Sequence, residues 1–214
     1  MKIFITLLLL LFISGCSLKT TDRYKYRVNA SNSFESYQRY YLQGKTTLAS
    51  VSLKRAINSA KLGSDIDSLA TIYLGECAIT NALFINDNCK EYKKVSAIIK
   101  NSKLENFYRL LRGKVETVDT KKLPKSYISF ADFLKKGKYK KAFNAIKDMP
   151  SPISKLIAAS IIKENLSTEE IKYIIKVSSS MGYRNATIKW YKFLLSKSSP
   201  KEKVRILKKI RLLR

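Results

Sequence analysis

Three cysteines carry most of the reactive chemistry of this 214-residue chain, which contains no histidine. Cys16 stands at the end of an apolar run, Ile3 to Ile13, that follows Lys2, and the two residues between them, Ser14 and Gly15, are small. A charged start, an apolar stretch and small residues are the parts of a secretory leader, here with a nucleophilic thiol at the cleavage point. Cys77 and Cys89 are the remaining pair. An oxidising compartment would let them form a disulfide, a crosslink that contributes roughly 2–3 kcal/mol by closing a short loop. For the sulfurs to meet, the Asn86-Asp87-Asn88 turn must fold back along the helix that holds Cys77. The alternative is two thiols, one of them buried as a small apolar residue. Without histidine or a Cys-x-x-Cys spacing, neither a metal site nor a redox site is expected, and no cofactor is.

Other catalytic chemistry finds few residues to carry it. No histidine can act as a base near neutral pH, and the chain has no Gly-x-Ser-x-Gly or phosphate-cradling glycine loop. Ser102, Ser126 and Ser151 have lysine neighbours because lysine is abundant, and Glu164, Glu169 and Glu170 fall where helix starts favour acids. The expectation is a binding protein, not an enzyme.

The leader decides where such a protein would work. Eleven residues at about 1.5 Å per residue reach roughly 16 Å, about half of a ~30 Å hydrocarbon core, so cleavage is expected over permanent insertion. Ile13-Ser14-Gly15-Cys16 resembles the lipobox of bacterial lipoproteins. That resemblance implies removal of residues 1–15, a diacylglycerol on Cys16 and an acyl chain on its new amine. Several chains together anchor a protein far more firmly than one. Ser17 stands where an aspartate would signal inner-membrane retention, so the resemblance implies the outer membrane and a periplasm-facing domain. An ordinary secretory leader that happens to end in cysteine is the competing reading.

Charge bounds the partners. The chain has 42 basic and 16 acidic residues, a formal net charge of +26. Such an excess concentrates anions, and at this location those are lipopolysaccharide phosphates, lipid head groups, glycan carboxylates and acidic proteins. Nucleic acid suits the charge but not the place. Evenly scattered lysines would instead form only a solvated surface.

The elements that must position any site are helical. Residues 16–33 combine the lipidated cysteine with a polar stretch lacking a sustained apolar period, and are expected to form a flexible tether. Tyr24 and Tyr26, which interrupt its polarity, could dock on the first helix or sit at the lipid interface. From Phe34 onward apolar residues recur at helical spacing, and glycine and proline are few, so the fold class is all-α. A first pair of helices is expected over Phe34 to Lys61 and Asp65 to Ile85. Gly63 would supply a left-handed C-cap between them, and Ser64 or Asp65 the next N-cap. Shorter helices should follow near Cys89 to Asn101, Lys103 to Val115, Lys125 to Lys136, Tyr139 to Lys147, Ile153 to Glu164, Thr168 to Met181, Arg184 to Ser196 and Lys201 to Leu213.

Phe130, Phe133, Gly137, Tyr139, Ala142, Ile146 and Pro150 share the spacing of a helix–turn–helix repeat, and this segment resembles a tetratricopeptide repeat. Gly182, Tyr183, Ala186, Trp190 and Leu194, closing near Pro200, resemble a second unit. Tyr40 with Gly44, Ala56 with Ala60, and Leu74-Gly75 are weaker echoes. The resemblance implies an array of helical hairpins over residues 34–200; a non-repeating helical bundle is the other reading.

Residues 201–214 hold seven basic side chains and one acidic, with Val204, Leu207, Ile210 and Leu213 expected on one apolar face that caps the array. Lys208, Lys209, Arg211 and Arg214 would then face an anionic head group or an acidic partner. The expected function is a lipid-anchored adaptor holding a segment of another envelope protein in a helical groove. It resembles the lipoproteins that assist pilus, secretin or outer-membrane assembly. The alternative is direct binding of an anionic polymer, lipopolysaccharide or cell-wall glycan, through the basic surface.

Overall fold

The computed structural model describes residues 18–85 and 87–213, with side chains described from Tyr24 onward. All regular structure among them is helical. The helices are α1 (Leu18–Gln43), α2 (Thr46–Leu62), α3 (Ile66–Ala82), α4 (Lys90–Ser96), α5 (Ser102–Leu111), α6 (Lys125–Lys135), α7 (Tyr139–Asp148), α8 (Pro152–Ile161), α9 (Thr168–Ser180), α10 (Arg184–Ser196) and α11 (Pro200–Leu212). Short 3₁₀ turns occupy Val115–Thr117, Thr120–Lys122 and Lys163–Asn165. No helix of the described residues is long and apolar enough to cross a membrane. The segment read as a leader, Cys16 and Arg214 lie outside the described residues.

The expected tether is corrected, because the chain is already helical from Leu18. Periodicity hid this, since the docking contact around Ala30 is a small-residue seam in place of an apolar stripe. Ala30 packs into a cluster with Ala56 and Ala60 of α2 and Ile72 of α3, where the absence of bulk lets the backbones approach. The same close approach uses Gly63, where an added Cβ would come within 3.0 Å of the Tyr26 Cβ. Tyr26 therefore docks at the end of α2, while Tyr24 is exposed. Arg27 fixes the seam by pairing with the buried carboxylate of Asp65, Nη2 to Oδ2 at 2.6 Å.

Two expected boundaries also shift. The helix foreseen over Phe34 to Lys61 breaks at Gly44, whose φ of +84° turns the chain between α1 and α2. At the next turn Gly63 has an ordinary φ of −76°, and the left-handed position falls on Ser64. Asp65 is the N-cap of α3 and accepts a hydrogen bond from the Ser68 N–H.

Helix α3 is the hub. It is apolar almost all round, burying Ala70, Ile72, Leu74, Cys77, Ala78, Ile79 and Ala82, as a helix enclosed by neighbours must. It packs against α1, α2, α4, α5 and α8. The two segments with repeat-like spacing form hairpins, α6 with α7 and α9 with α10, each turning at a glycine of positive φ, Gly137 at +64° and Gly182 at +66°. In each turn the residue after the glycine donates its N–H to a carbonyl five residues back, Lys138 to Phe133 and Tyr183 to Ser178, which closes the helix end. Contacts between non-consecutive elements, α3 with α8 and α1 with α10, join the two halves. The latter contact includes a hydrogen bond from Asn185 Nδ2 to the Tyr41 carbonyl.

Candidate ligand-binding cleft

A cleft of about 620 Å³ opens where α1, α3, α5, α6 and α8 converge. Its floor is apolar, with Phe34, Leu74, Leu104, Phe107, Tyr127 and Ile157 among the lining residues. Gly75 shapes that floor: a Cβ there would come within 2.5 Å of the Phe34 ring, so glycine lets the ring approach α3 this closely. Burial pushes the Tyr127 phenol up to about 12, opposed by a hydrogen bond with Ser154, so Tyr127 is neutral and serves as a wall.

Four lysines stand around this floor, Lys103, Lys121, Lys122 and Lys125, and no carboxylate lines it. Lys103 and Lys125 sit on α5 and α6, and the placement of Lys121 and Lys122 depends on Asn106, buried in α5. Its Oδ1 accepts from the Asp119 N–H at 2.6 Å and its Nδ2 donates to the Ser102 carbonyl at 2.7 Å. This ties the irregular segment 115–122 to α5. Lys135 Nζ donates to the Val118 carbonyl at 2.8 Å and ties the same segment to α6. Lys122 lies 3.6 Å from Asp119, whereas no ion pair among the described residues engages Lys103, Lys121 or Lys125. Helix N-termini add to the positive potential. The first turns of α6 and α8 border the cleft and contain no acidic residue. Ser151 and Ser126, which have lysine neighbours in sequence, both line it, and Ser151 is occupied as the α8 cap, accepting from the Ser154 N–H.

A second cleft of about 420 Å³ shares Lys125 and Ser126 with the first and continues into the α6–α7 hairpin, past Phe133, Lys141, Asn144 and Asp148. Together they make an extended groove with cations at its centre. Sequence reasoning missed this site. Its one local trace is Lys121-Lys122-Leu123-Pro124-Lys125, a basic run placed between two helices where it need not serve either.

The residues singled out from sequence lie elsewhere. Cys77 and Cys89 form a disulfide, with Cα atoms 5.1 Å apart, so they are not available as thiol ligands. The bond joins α3 to the loop before α4, and Asp87 Oδ1 accepts from the Cys89 N–H at 2.8 Å. Next to Cys77, burial, then Asp87 and Glu91, raise the carboxyl of Glu76 despite Lys90. Glu164 is exposed beside Lys163, Glu169 pairs with Lys172, and Glu170 closes a capping box with Ser167. Lys208 and Arg211 are exposed, and Lys209 leans over the Tyr191 ring at 5.7 Å.

No family model, curated protein or solved structure matches this chain.

Proposed function

We propose that this protein is a lipid-anchored adaptor of the bacterial outer membrane, facing the periplasm, whose groove holds an acidic segment of another envelope protein. The anchor rests on Ile13-Ser14-Gly15-Cys16 and on the chemistry such a lipobox undergoes. The observation that carries the binding reading is the larger cleft, whose apolar floor is ringed by Lys103, Lys121 and Lys125, unpaired among the described residues, with no carboxylate lining that cleft. Apolar side chains of a guest would displace water from Phe34, Leu104 and Phe107 while its carboxylates meet Lys103, Lys121 and Lys125. Continuation of the groove through Lys125 into the α6–α7 hairpin suits an extended chain better than a compact molecule. That hairpin is also the segment with the strongest tetratricopeptide-like spacing, and a repeat array that binds through its concave face accounts for both features.

Photo-crosslinking from position 125 in intact cells tests this reading. A single defined protein adduct is expected, lost when Lys103 and Lys121 are both replaced by glutamate. Capture of lipopolysaccharide or glycan that declines smoothly as salt rises, without a protein adduct, would transfer the lysine surface to the polymer-binding alternative. No change on charge reversal would overturn the groove as the site.

A further inference from the structure

The C-terminal helix turns an unexpected face outward. The spacing of Val204, Leu207, Ile210 and Leu213 predicted one apolar stripe docked on the core, but α11 docks through Ile206 and Ile210, with Leu213 half-buried. At 100° per residue, Val204, Lys208 and Arg211 lie on the side away from Ile206 and Ile210, with Leu207 at its edge. Val204 leaves 56% of its surface exposed and Leu207 44%, and Leu212, further round the helix toward Lys209, leaves 88%. A helix that merely capped an array would show water a polar face, and this one shows three large aliphatic side chains.

Charge selects what such a face meets. Lys201, Lys208 and Arg211 flank the exposed aliphatics. The one acid of α11, Glu202, is turned to other work, closing a capping box with Ser199 and lying 3.8 Å from Lys172. Two clefts share Lys209 and run along one side of α11, lined by Arg205, Ile206, Leu212 and Leu213, apart from Val204 and Leu207. A convex strip of aliphatic and cationic side chains on a helix held in place by its own core contacts suits a planar anionic surface. Ordering it would cost little on binding.

We propose that this face of α11 rests on an anionic phospholipid bilayer, with Val204 and Leu207 at the head-group boundary and Lys201, Lys208 and Arg211 on the phosphates. It is a second membrane contact, independent of Cys16, and it stands whether or not the groove binds a protein. It would fix the orientation of the domain at the membrane, which a lipid at one end of the chain leaves free.

The test uses the full chain with Cys16→Ser, in which Cys77 and Cys89 are paired, and Val204→Cys labelled with an environment-sensitive dye. Vesicles of phosphatidylcholine with phosphatidylglycerol should shift its emission to the blue, and vesicles of phosphatidylcholine alone should not. The same dye at Lys114→Cys, on the exposed turn after α5, should not respond. Lys208→Glu with Arg211→Glu should weaken the response by more than the about thirtyfold that losing two basic residues at their usual contribution would give. Lys208→Gln with Arg211→Gln should act in the same direction, with helicity by circular dichroism unchanged in both. No shift with anionic vesicles, an equal shift with neutral ones, or an equal shift at position 114 would each overturn the proposal.

Discussion

Helix ends between Thr46 and Lys90 are built differently from those between Lys125 and Ser199. In the later region the left-handed positions are Gly137 and Gly182, and the starts of α8, α9 and α11 are capped by Ser151, Ser167 and Ser199. These ends are specified by residues that prefer that conformation in any context, although α6, α7 and α10 start without a side-chain cap. In the earlier region the left-handed positions fall on Ser64, Phe84, Asn88 and Cys89. Side chains with a Cβ pay roughly 1–2 kcal/mol to sit there, so something distant must hold them. The holders are identifiable. Arg27 grips Asp65 next to Ser64. Phe84 lies edge-on to Trp190 at 4.8 Å and against Phe193 at 5.3 Å, with Lys163 over its ring. Cys89 is tied to Cys77. One region is written locally, and the other is enforced by tertiary contact.

The contrast can be broken most severely at Trp190, which is fully buried and joins the two regions through Phe84. Trp190→Ala should cost about 3–5 kcal/mol in urea unfolding and loosen the loop before α4 more than the α9–α10 turn, read by hydrogen exchange. Removing the crosslink with Cys77→Ala and Cys89→Ala should cost about 2–3 kcal/mol, with the added exchange confined to residues near 83–90. In the later region, Gly182→Ala should cost about 1–2 kcal/mol, because alanine must take a φ of +66° although its Cβ would meet nothing there. The converse substitution, Ser64→Gly, should stabilise by up to about 1 kcal/mol, since it relieves a conformation that the Arg27–Asp65 pair now imposes.

The smallest effects concern pH, and the carboxylates of Asp65 and Glu76 differ in sign. Burial pushes the Asp65 carboxyl up, but the Ser68 N–H and Arg27 together outweigh it and bring the group below its ordinary value. Its contribution is therefore present above the unfolded carboxylate range, about pH 4, and is lost as pH falls through the lower folded value. Glu76 is raised by burial and then by Asp87 and Glu91, so its contribution is present below about pH 4 and is lost as pH rises through the folded value. Glu76→Gln should thus stabilise the fold at pH 7 and not at pH 3. Asp65→Asn should destabilise it at pH 7 and become neutral in acid. Unfolding curves at the two pH values check both signs.

Much of the helical architecture was legible along the chain where local preference and final packing agree. The helix over Arg184 to Ser196 was readable to the residue, and the breaks at Gly137 and Gly182 were marked by the glycines that occupy them. Residues 18–33 were not legible, because an alanine seam leaves no apolar period and a helix docked by Ala30 reads as polar chain. The face of α11 was misread for a related reason. Two apolar stripes were available on that helix, and only the shape of the core it meets selected Ile206 and Ile210 over Val204 and Leu207. The groove left almost no trace, since its floor draws on α1, α3, α5, α6 and α8, segments far apart in sequence.

The chain by itself determined an all-helical fold, an excess of positive charge, the turns at its glycines and the serine caps, because each of these follows from a residue's own conformational preference or ionisation. The tertiary structure alone decided which lysines surround an apolar floor, which side of α11 faces water, and that Phe84 and Cys89 occupy positions they would not choose. Those outcomes depend on summed contacts between distant segments, and no window of neighbouring residues contains them.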